Sequence, residues 1–538
     1  MHGLIWGNSG LRDGTTNRAL DREQWLRSGA SGEPLLRFYA CTPTASLGAY
    51  EDEAHALRPN YCCSRDIPII RRLSGGSALY IDAGQICWTL TVPTADIMAF
   101  GSWLECLGIA ICGALSAQGV AASFREPNDI ELEGRKLGSF FLAADAGVLL
   151  AQGTLFQSLD VETMLKVLRV PNEKLTPEGF RTAAARFAVL PPLELGCTME
   201  GLRESLANNL GAALGLHCCK FVFWPEAVHC PGDDIPEPNK AKLYRGPLYS
   251  AFVKTSGGVL MGHQRFDEYG CVASLRLHGN VQMRPRNIFN ELEGWLLGVS
   301  EDTLADRLDT FFSTRPYELF HFGSGDILIL LHRLFERLHQ ATALTLSEEG
   351  VNTIMVHDPE GRRDTFAILA IAEAVLVPYC AKPVWCKWRH RDGCSECGLC
   401  TVSDTYRLAH ERGLQVVTIC NFEHLNETLQ RFREEGVGAY LGMCCNNFFL
   451  KREYAFRAAG MPAVLLDITG SNCYDLGQEQ LAYVGKFQAE ASLNECIVEK
   501  VMQFVPHRLW SPDTSSSRNT RRKRQEPGLP STTLYPDK

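Results

Sequence analysis

Residues 70–88 read IRRLSGGSALYIDAGQICW. Two arginines, Arg71 and Arg72, lead into the small-residue run Ser74-Gly75-Gly76-Ser77-Ala78. A short alternating apolar segment at Leu79 and Ile81 follows, ending on Asp82-Ala83-Gly84. Glycines lack Cβ atoms, so their backbone N–H groups can approach an anion closely. Arginine supplies planar donors suited to a carboxylate or a phosphate. The pattern fits a loop that holds an anionic small molecule, although a tight hairpin with incidental arginines has the same composition.

A second stretch, REPNDIELEGRKLGS at 125–139, narrows the choice. Asn128-Asp129 precedes a short strand, Gly134 turns the chain, and Lys136 follows two residues before Gly138. A lysine between two glycine turns can reach into a pocket and hold a carboxylate together with the phosphate that activates it. A single lysine at a hairpin tip is ordinarily just solvated; the pairing of the two stretches argues for the pocket.

RRLSGGSALYIDAG and NDIELEGRKLGS resemble the two signatures of lipoate–protein ligases. Asn17-Arg18-Ala19-Leu20-Asp21, LRFYACTPTASLG at 36–48 and LLAQGTL at 149–155 resemble that family's opening helix, first strands and following strand. Several motifs in the right order are far more specific than one. The chain departs from the pattern at Ser77, Ile81 and Gln152, where the family carries Gly, His and His. It has Ser123-Phe124 where related octanoyltransferases carry a cysteine nucleophile, which argues against a thioester intermediate.

The resemblance implies an α+β core of the class II synthetase kind, with a mixed or antiparallel sheet. It also implies ATP-dependent activation of lipoate or octanoate, with Mg²⁺, and transfer of the acyl group to a lysine of a lipoyl-domain or glycine-cleavage-H-like carrier. It assigns Lys136 to the carboxylate and α-phosphate. Arg71, Arg72 and the run Ser74, Gly75, Gly76, Ser77, Ala78 and Leu79 are assigned to the adenylate and acyl chain, with Asp82, Asn128, Asp129 and Gly138 shaping the site. A biotin ligase, or a ligase-derived binding module attached to a redox or sulfur-handling protein, remains an alternative reading.

At 538 residues, length alone predicts two to four domains. A net charge of −9 gives no reason to expect nucleic acid, and no apolar run is long enough to span a bilayer. A cytoplasmic protein is the resulting expectation. The expected order is a flexible arm (1–15), the ligase-like domain (16–216), a linker (217–245), a small α+β accessory domain (246–320), a cysteine-rich α/β domain with a short parallel sheet (326–507), and a disordered tail (508–538). A zinc site using His217 and His229 matches no standard spacing.

The 21 cysteines are scattered as far as Cys271 and then concentrated in residues 380–496. Cys394-x-x-Cys397-x-x-Cys400, with Cys380 and Cys386 upstream and Cys444 and Cys473 beyond, has the spacing of metal ligands. An Fe–S cluster is the preferred reading, with structural zinc or merely reduced thiols as alternatives. The segment resembles a cysteine-rich domain of unknown function from bacteria and archaea.

Overall fold

The computed structural model describes residues 3–94, 99–170, 175, 177–192, 198–220, 246–361, 363–473 and 478–508. Of the expected linker (217–245), residues 221–245 with His229 lie outside the described residues, while Cys218–Lys220 forms a strand; the expected tail (508–538) lies outside them beyond Arg508. The chain divides into two compact units.

The first unit is built on an eight-stranded sheet in the order 218–220, 4–12, 35–41, 85–93, 148–156, 135–145, 129–132, 122–125. Strand Leu4–Arg12 runs parallel to Leu35–Cys41, while the strands from Gln85–Pro93 onward pair antiparallel, so the sheet is mixed. Gln85–Pro93 and Val148–Phe156 are central strands buried on both faces, hence their near-continuous apolar character. Helices Phe100–Ser116 and Met199–Ala213 bury Trp103, Leu104, Leu107, Leu202 and Leu206 in the same core as Trp6, Phe38, Trp88 and Phe140. Helix Gly14–Ser31, capped by Asp13, lays Leu20, Asp21 and Gln24 against the sheet.

The segment expected as a flexible arm is a correction. Leu4–Arg12 is a strand inside the large sheet, with Leu4 and Trp6 buried. Its glycines and polar residues fall where the pairing with 35–41 shifts register between Asn8 and Leu11.

A three-stranded antiparallel sheet, Tyr249–Thr255, Gly258–Phe266 and Val272–Gly279, forms the accessory region of this unit. Helices Ile288–Trp295 and Glu301–Ser313 pack on it, as their apolar spacing predicts. Helix Ser324–Leu344, expected to open the next domain, buries Leu330, Leu331 and Leu334 in this same core. Its Arg333 and Arg337 donate to the carbonyls of Phe252 and Ser250, so the first unit runs to Met355.

Four strands of a five-stranded sheet, ordered 463–466, 439–443, 372–378, 415–419, lie in the second unit, and strand 354–357, which begins at the end of the first unit, pairs beside 463–466. Strand 372–378 pairs in parallel with 415–419 and 439–443, and 439–443 with 463–466. The apolar runs at 414–420, 437–443 and 462–468 predict helices between them at 422–435 and 446–459, and helices Phe422–Glu435 and Asn446–Ala459 stand there, each closed by a left-handed glycine, Gly436 or Gly460. Among the described residues no helix is long and apolar enough to cross a membrane.

Candidate functional site

The glycine loop is carried by a small sheet in which Thr44–Leu47 pairs with both Ile69–Arg71 and Leu79–Ile81. Arg71 Nη1 donates to the carbonyls of Gly48, Ala49 and Glu51 at 3.0, 3.3 and 2.6 Å. Arg72 donates to the carbonyls of Ser46, Gly75 and Ser77 at 3.2, 2.6 and 2.8 Å, and its guanidinium lies 4.4 Å from the centre of the Phe141 ring. Burial lowers the Arg72 pKa to about 10, which still leaves it charged at neutral pH. Both guanidiniums therefore clamp backbone; here neither is spent on an open anion seat.

The loop glycines are sterically required. A Cβ on Gly76, whose φ is +84°, would lie 2.1 Å from the Phe141 ring, and one on Gly75 would lie 2.2 Å from the Val281 carbonyl. The accessory region covers the loop directly: Gly76 N–H donates to Val281 O at 3.0 Å, and Asn280 Nδ2 to Ser77 Oγ at 3.1 Å. Gln282 Oε1 accepts from Leu142 N–H at 2.9 Å on the neighbouring strand. Glu51, buried, accepts Gly48 N–H at 3.0 Å; burial raises its pKa, opposed by Arg72 beside it.

Ser74 starts the loop and is fully buried. Its N–H and Oγ–H both donate to Gln152 Oε1, at 3.0 and 2.9 Å. Gln152 Nε2 donates to Asp21 Oδ2 at 2.7 Å. The other Asp21 oxygen accepts from Thr89 Oγ at 2.6 Å and from the Arg37 guanidinium. This buried network links the opening helix, two central strands and the loop. Motif matching registers Gln152 only as a departure; an Asp in the helix and a Gln in the strand give no local signal that they meet.

Lys136 sits on strand Arg135–Asp145, which also carries Gly138 and the Phe141 ring that contacts the loop. Its Nζ lies 2.8 Å from Asp129 Oδ1, both side chains being about a quarter exposed (29% and 27%). Its backbone is held on the outer side, with Lys136 N–H donating to Arg186 O at 3.0 Å and Ala188 N–H to Lys136 O at 2.9 Å. Asn128 braces the hairpin through Nδ2 to Phe140 O at 3.0 Å. A Cβ on Gly138 would lie 2.1 Å from Thr154 O, so that glycine lets the two strands close. Asp82 Oδ1 accepts Gly84 N–H at 2.8 Å, shaping the turn after the loop, and burial raises its pKa.

A cavity of about 40 Å³ lies under the loop. Tyr39, Ile70, Leu79, Ile81 and Phe141 supply apolar walls, and Asp21, Arg72, Gln152 and Thr154 a polar floor. Thr154 pairs with Ser139, three residues along the strand from Lys136, or about 10 Å at a strand's rise. Of the residues predicted from sequence, Arg72 and Leu79 line the cavity, while Gly76 touches its Phe141 wall.

In the second unit, strand order reverses between Ala372–Pro378 and Ala439–Met443. Ligands of open parallel sheets bind outside the carboxyl ends at such a point. Cys380 follows the first of these strands, and Cys444 and Cys445 follow the second. Burial pushes the Cys380 thiol up to about 12 and the Cys444 thiol well above its ordinary value, with Cys445 electrostatically near both. Cys386, Cys394, Cys397 and Cys400 lie in the loop after Cys380. Burial raises the Cys394 pKa, opposed by the Glu396 N–H and by Lys382. Lys382 Nζ is itself fixed by the carbonyls of Trp388, Arg391 and Gly393 at 2.8, 3.1 and 2.7 Å. Cys473 is buried, in the segment Gly470–Ala489 that groups with the first unit. Among the described residues, no three His, Cys, Asp or Glu side chains are already gathered around one ion position.

Residues 13–210 match the model of the lipoyl protein ligase A/B catalytic domain. The chain is 26% identical over 210 residues to lipoate-protein ligase LplJ of Bacillus subtilis, an alignment covering 38% of this chain and 62% of that protein, short of two thirds of its length. It is 28% identical over 293 residues to a lipoate–protein ligase of Streptococcus pyogenes, covering 51% of this chain and 83% of the relative. Among solved structures, P. falciparum LipL1 in complex with lipoate aligns with a TM-score of 0.46 at 14% identity, over 61% of this chain and 100% of that one.

Proposed function

We propose, from the lipoyl protein ligase A/B catalytic domain that residues 13–210 carry, that this chain is an ATP-dependent lipoate–protein ligase. The acid's carboxylate attacks the α-phosphate of ATP, giving an acyl-adenylate and pyrophosphate. A lysine amine on a lipoyl-domain-type carrier then attacks the acyl carbon and releases AMP. The carrying observation is strand Arg135–Asp145, which brings Lys136 and the loop-contacting Phe141 onto one rigid element beside the cavity.

Negative charge builds on the α-phosphate in the first step and on the departing AMP in the second. A fixed ammonium at Lys136 stabilises both, provided it leaves Asp129 for the substrate. Mg²⁺ arriving with ATP would neutralise the departing pyrophosphate, and Asp129 is the carboxylate at hand. Acid and adenylate would be held by the loop's backbone donors and the apolar walls at Ile70, Leu79 and Ile81. The cavity has room for roughly three waters, so a medium-chain acid has to widen it. Val281 and Asn280 hold the loop beside it from the accessory side, through Gly76 and Ser77.

The test is a mass shift on an unmodified lipoyl domain given ATP, Mg²⁺, lipoate or octanoate and the full chain. A shift that disappears with Lys136→Ala supports the reading. Absence of any shift, without ATP consumption, returns the chain to a binding module.

For the second unit the reading is a thiolate-held metal centre, an Fe–S cluster in preference to zinc, using ligands from Cys380, Cys386, Cys394, Cys397, Cys400 and Cys444. The support is chemical. Buried thiols whose pKa values are raised stay protonated until a cation compensates the charge, and an all-sulfur donor set suits iron–sulfur or zinc. Metal analysis of the purified full chain decides: iron with acid-labile sulfide supports the cluster, stoichiometric zinc replaces it, and neither metal leaves reduced thiols.

A further inference from the structure

Asp21 is buried and ion-paired with Arg37, and as a carboxylate it only accepts hydrogen bonds. The amide of Gln152 must therefore present Nε2 to Asp21, which turns Oε1 toward Ser74. Both Ser74 donors, N–H and Oγ–H, end on that one oxygen. The rest of the loop hangs from this point: Ser74 O accepts Ala49 N–H at 2.9 Å, and Arg72 holds the next carbonyls. Gln152 also forms part of the cavity floor.

We propose that Gln152 is the positioning residue that sets the glycine loop over the cavity, relaying the buried Asp21–Arg37 pair to Ser74 through an amide that cannot titrate. As a device for the ligase reaction this rests on the reading above; as a loop anchor it stands alone. An amide is suited to the task because it donates at one end and accepts at the other at every pH. A neutral imidazole could do the same with its two nitrogens. Once protonated it has two donors and no acceptor, and Ser74 loses its partner.

The experiment uses the full chain and the variants Gln152→Leu, Gln152→His and Ser74→Ala, read by hydrogen exchange of loop residues 73–79 after correction for intrinsic pH dependence. With Gln152→Leu, loop exchange should accelerate at least about tenfold while strand 135–145 stays protected. Ser74→Ala removes one of two donors and should produce a smaller acceleration. Gln152→His should match the native loop at pH 9 and lose protection by pH 6, where the native chain stays flat. If Gln152→Leu does not fold, the other two variants decide. A loop unchanged in Ser74→Ala together with a Gln152→His loop indifferent to pH overturns the proposal.

Pyrophosphate release with octanoate or lipoate, run alongside, separates the two ideas. A native chain that releases none, yet shows the exchange pattern, sinks the ligase reading and leaves the anchor standing. An active chain whose Gln152 variants leave the loop unmoved, with KM for the acid unchanged, does the reverse.

Discussion

Replacing Arg72 tests whether the arginine pair serves the loop or the nucleotide. Its side chain is nearly inaccessible, at 5% exposure, and donates to three backbone carbonyls. Each hydrogen bond from a charged donor contributes about 1.5–3 kcal/mol. The three are not additive, since losing one frees the loop to rehydrate the others. Arg72→Met should therefore raise the free energy of the closed loop by about 3–5 kcal/mol, the range found when one partner of a buried charged set is removed. Arg72→Lys keeps the charge but offers a compact ammonium in place of a planar fork, so about half that loss is expected. Hydrogen exchange of residues 46–50 and 73–79 reads this directly, at about tenfold faster exchange per 1.4 kcal/mol. ATP binding measured on the same preparations completes the test. If exchange in Arg72→Met stays within about twofold of native while ATP affinity collapses, the guanidinium is a phosphate ligand and the structural assignment is wrong.

Gly76→Ala should cost about 3 kcal/mol, combining a left-handed φ with a Cβ driven into Phe141; adding Phe141→Leu should recover part of this in urea unfolding. Lys136→Ala should lower kcat by roughly 10²–10³ with little change in Tm, because its partly exposed pair with Asp129 contributes under about 1 kcal/mol. His278 packs near His263, Asp52, Arg71 and Arg276, and burial lowers its pKa to about 4. Between pH 6.5 and 4 the unfolded chain binds a proton there that the folded chain refuses, so stability falls as the pH falls through that window, by on the order of 3 kcal/mol. His278→Gln should flatten that acid limb in urea midpoints measured at pH 7 and 4.5, and an unaltered slope would refute the assignment.

Legibility of the chain followed the range of the forces involved. Helices Phe422–Glu435 and Asn446–Ala459 were readable to the residue, because periodicity and the stops at Gly436 and Gly460 are local. Leu4–Arg12 was not: the strand exists because Leu4 and Trp6 find a core built by distant segments, and its sequence has the look of a loop. The helix at Ser324–Leu344 was visible as a helix but not as part of the accessory core, since periodicity shows that an apolar face exists and not what it meets. The loop itself was legible as composition. The roles of its arginines were not, because a bent glycine loop turns carbonyls inward that need donors just as an incoming anion would.

That last ambiguity bears on how the site can open. The loop is fixed by Gln152 through Ser74, by Arg72 through Gly75 and Ser77, and by Val281 and Asn280 through Gly76 and Ser77. Gln152 and Arg72 belong to the core, and withdrawing either leaves buried polar groups without partners, at about 1–3 kcal/mol each. The accessory contacts are of two kinds: Gly76 to Val281 is buried as well, but Asn280 and Ser77 meet at an exposed position, where water can replace each for the other. Releasing the loop at Asn280 is therefore the lowest-cost first step. An Asn280→Ala variant should take up acid at least as well as the native chain, whereas Gln152→Leu should bind it more weakly. The reverse order in a calorimetric titration with lipoate or octanoate would place the opening on the core side.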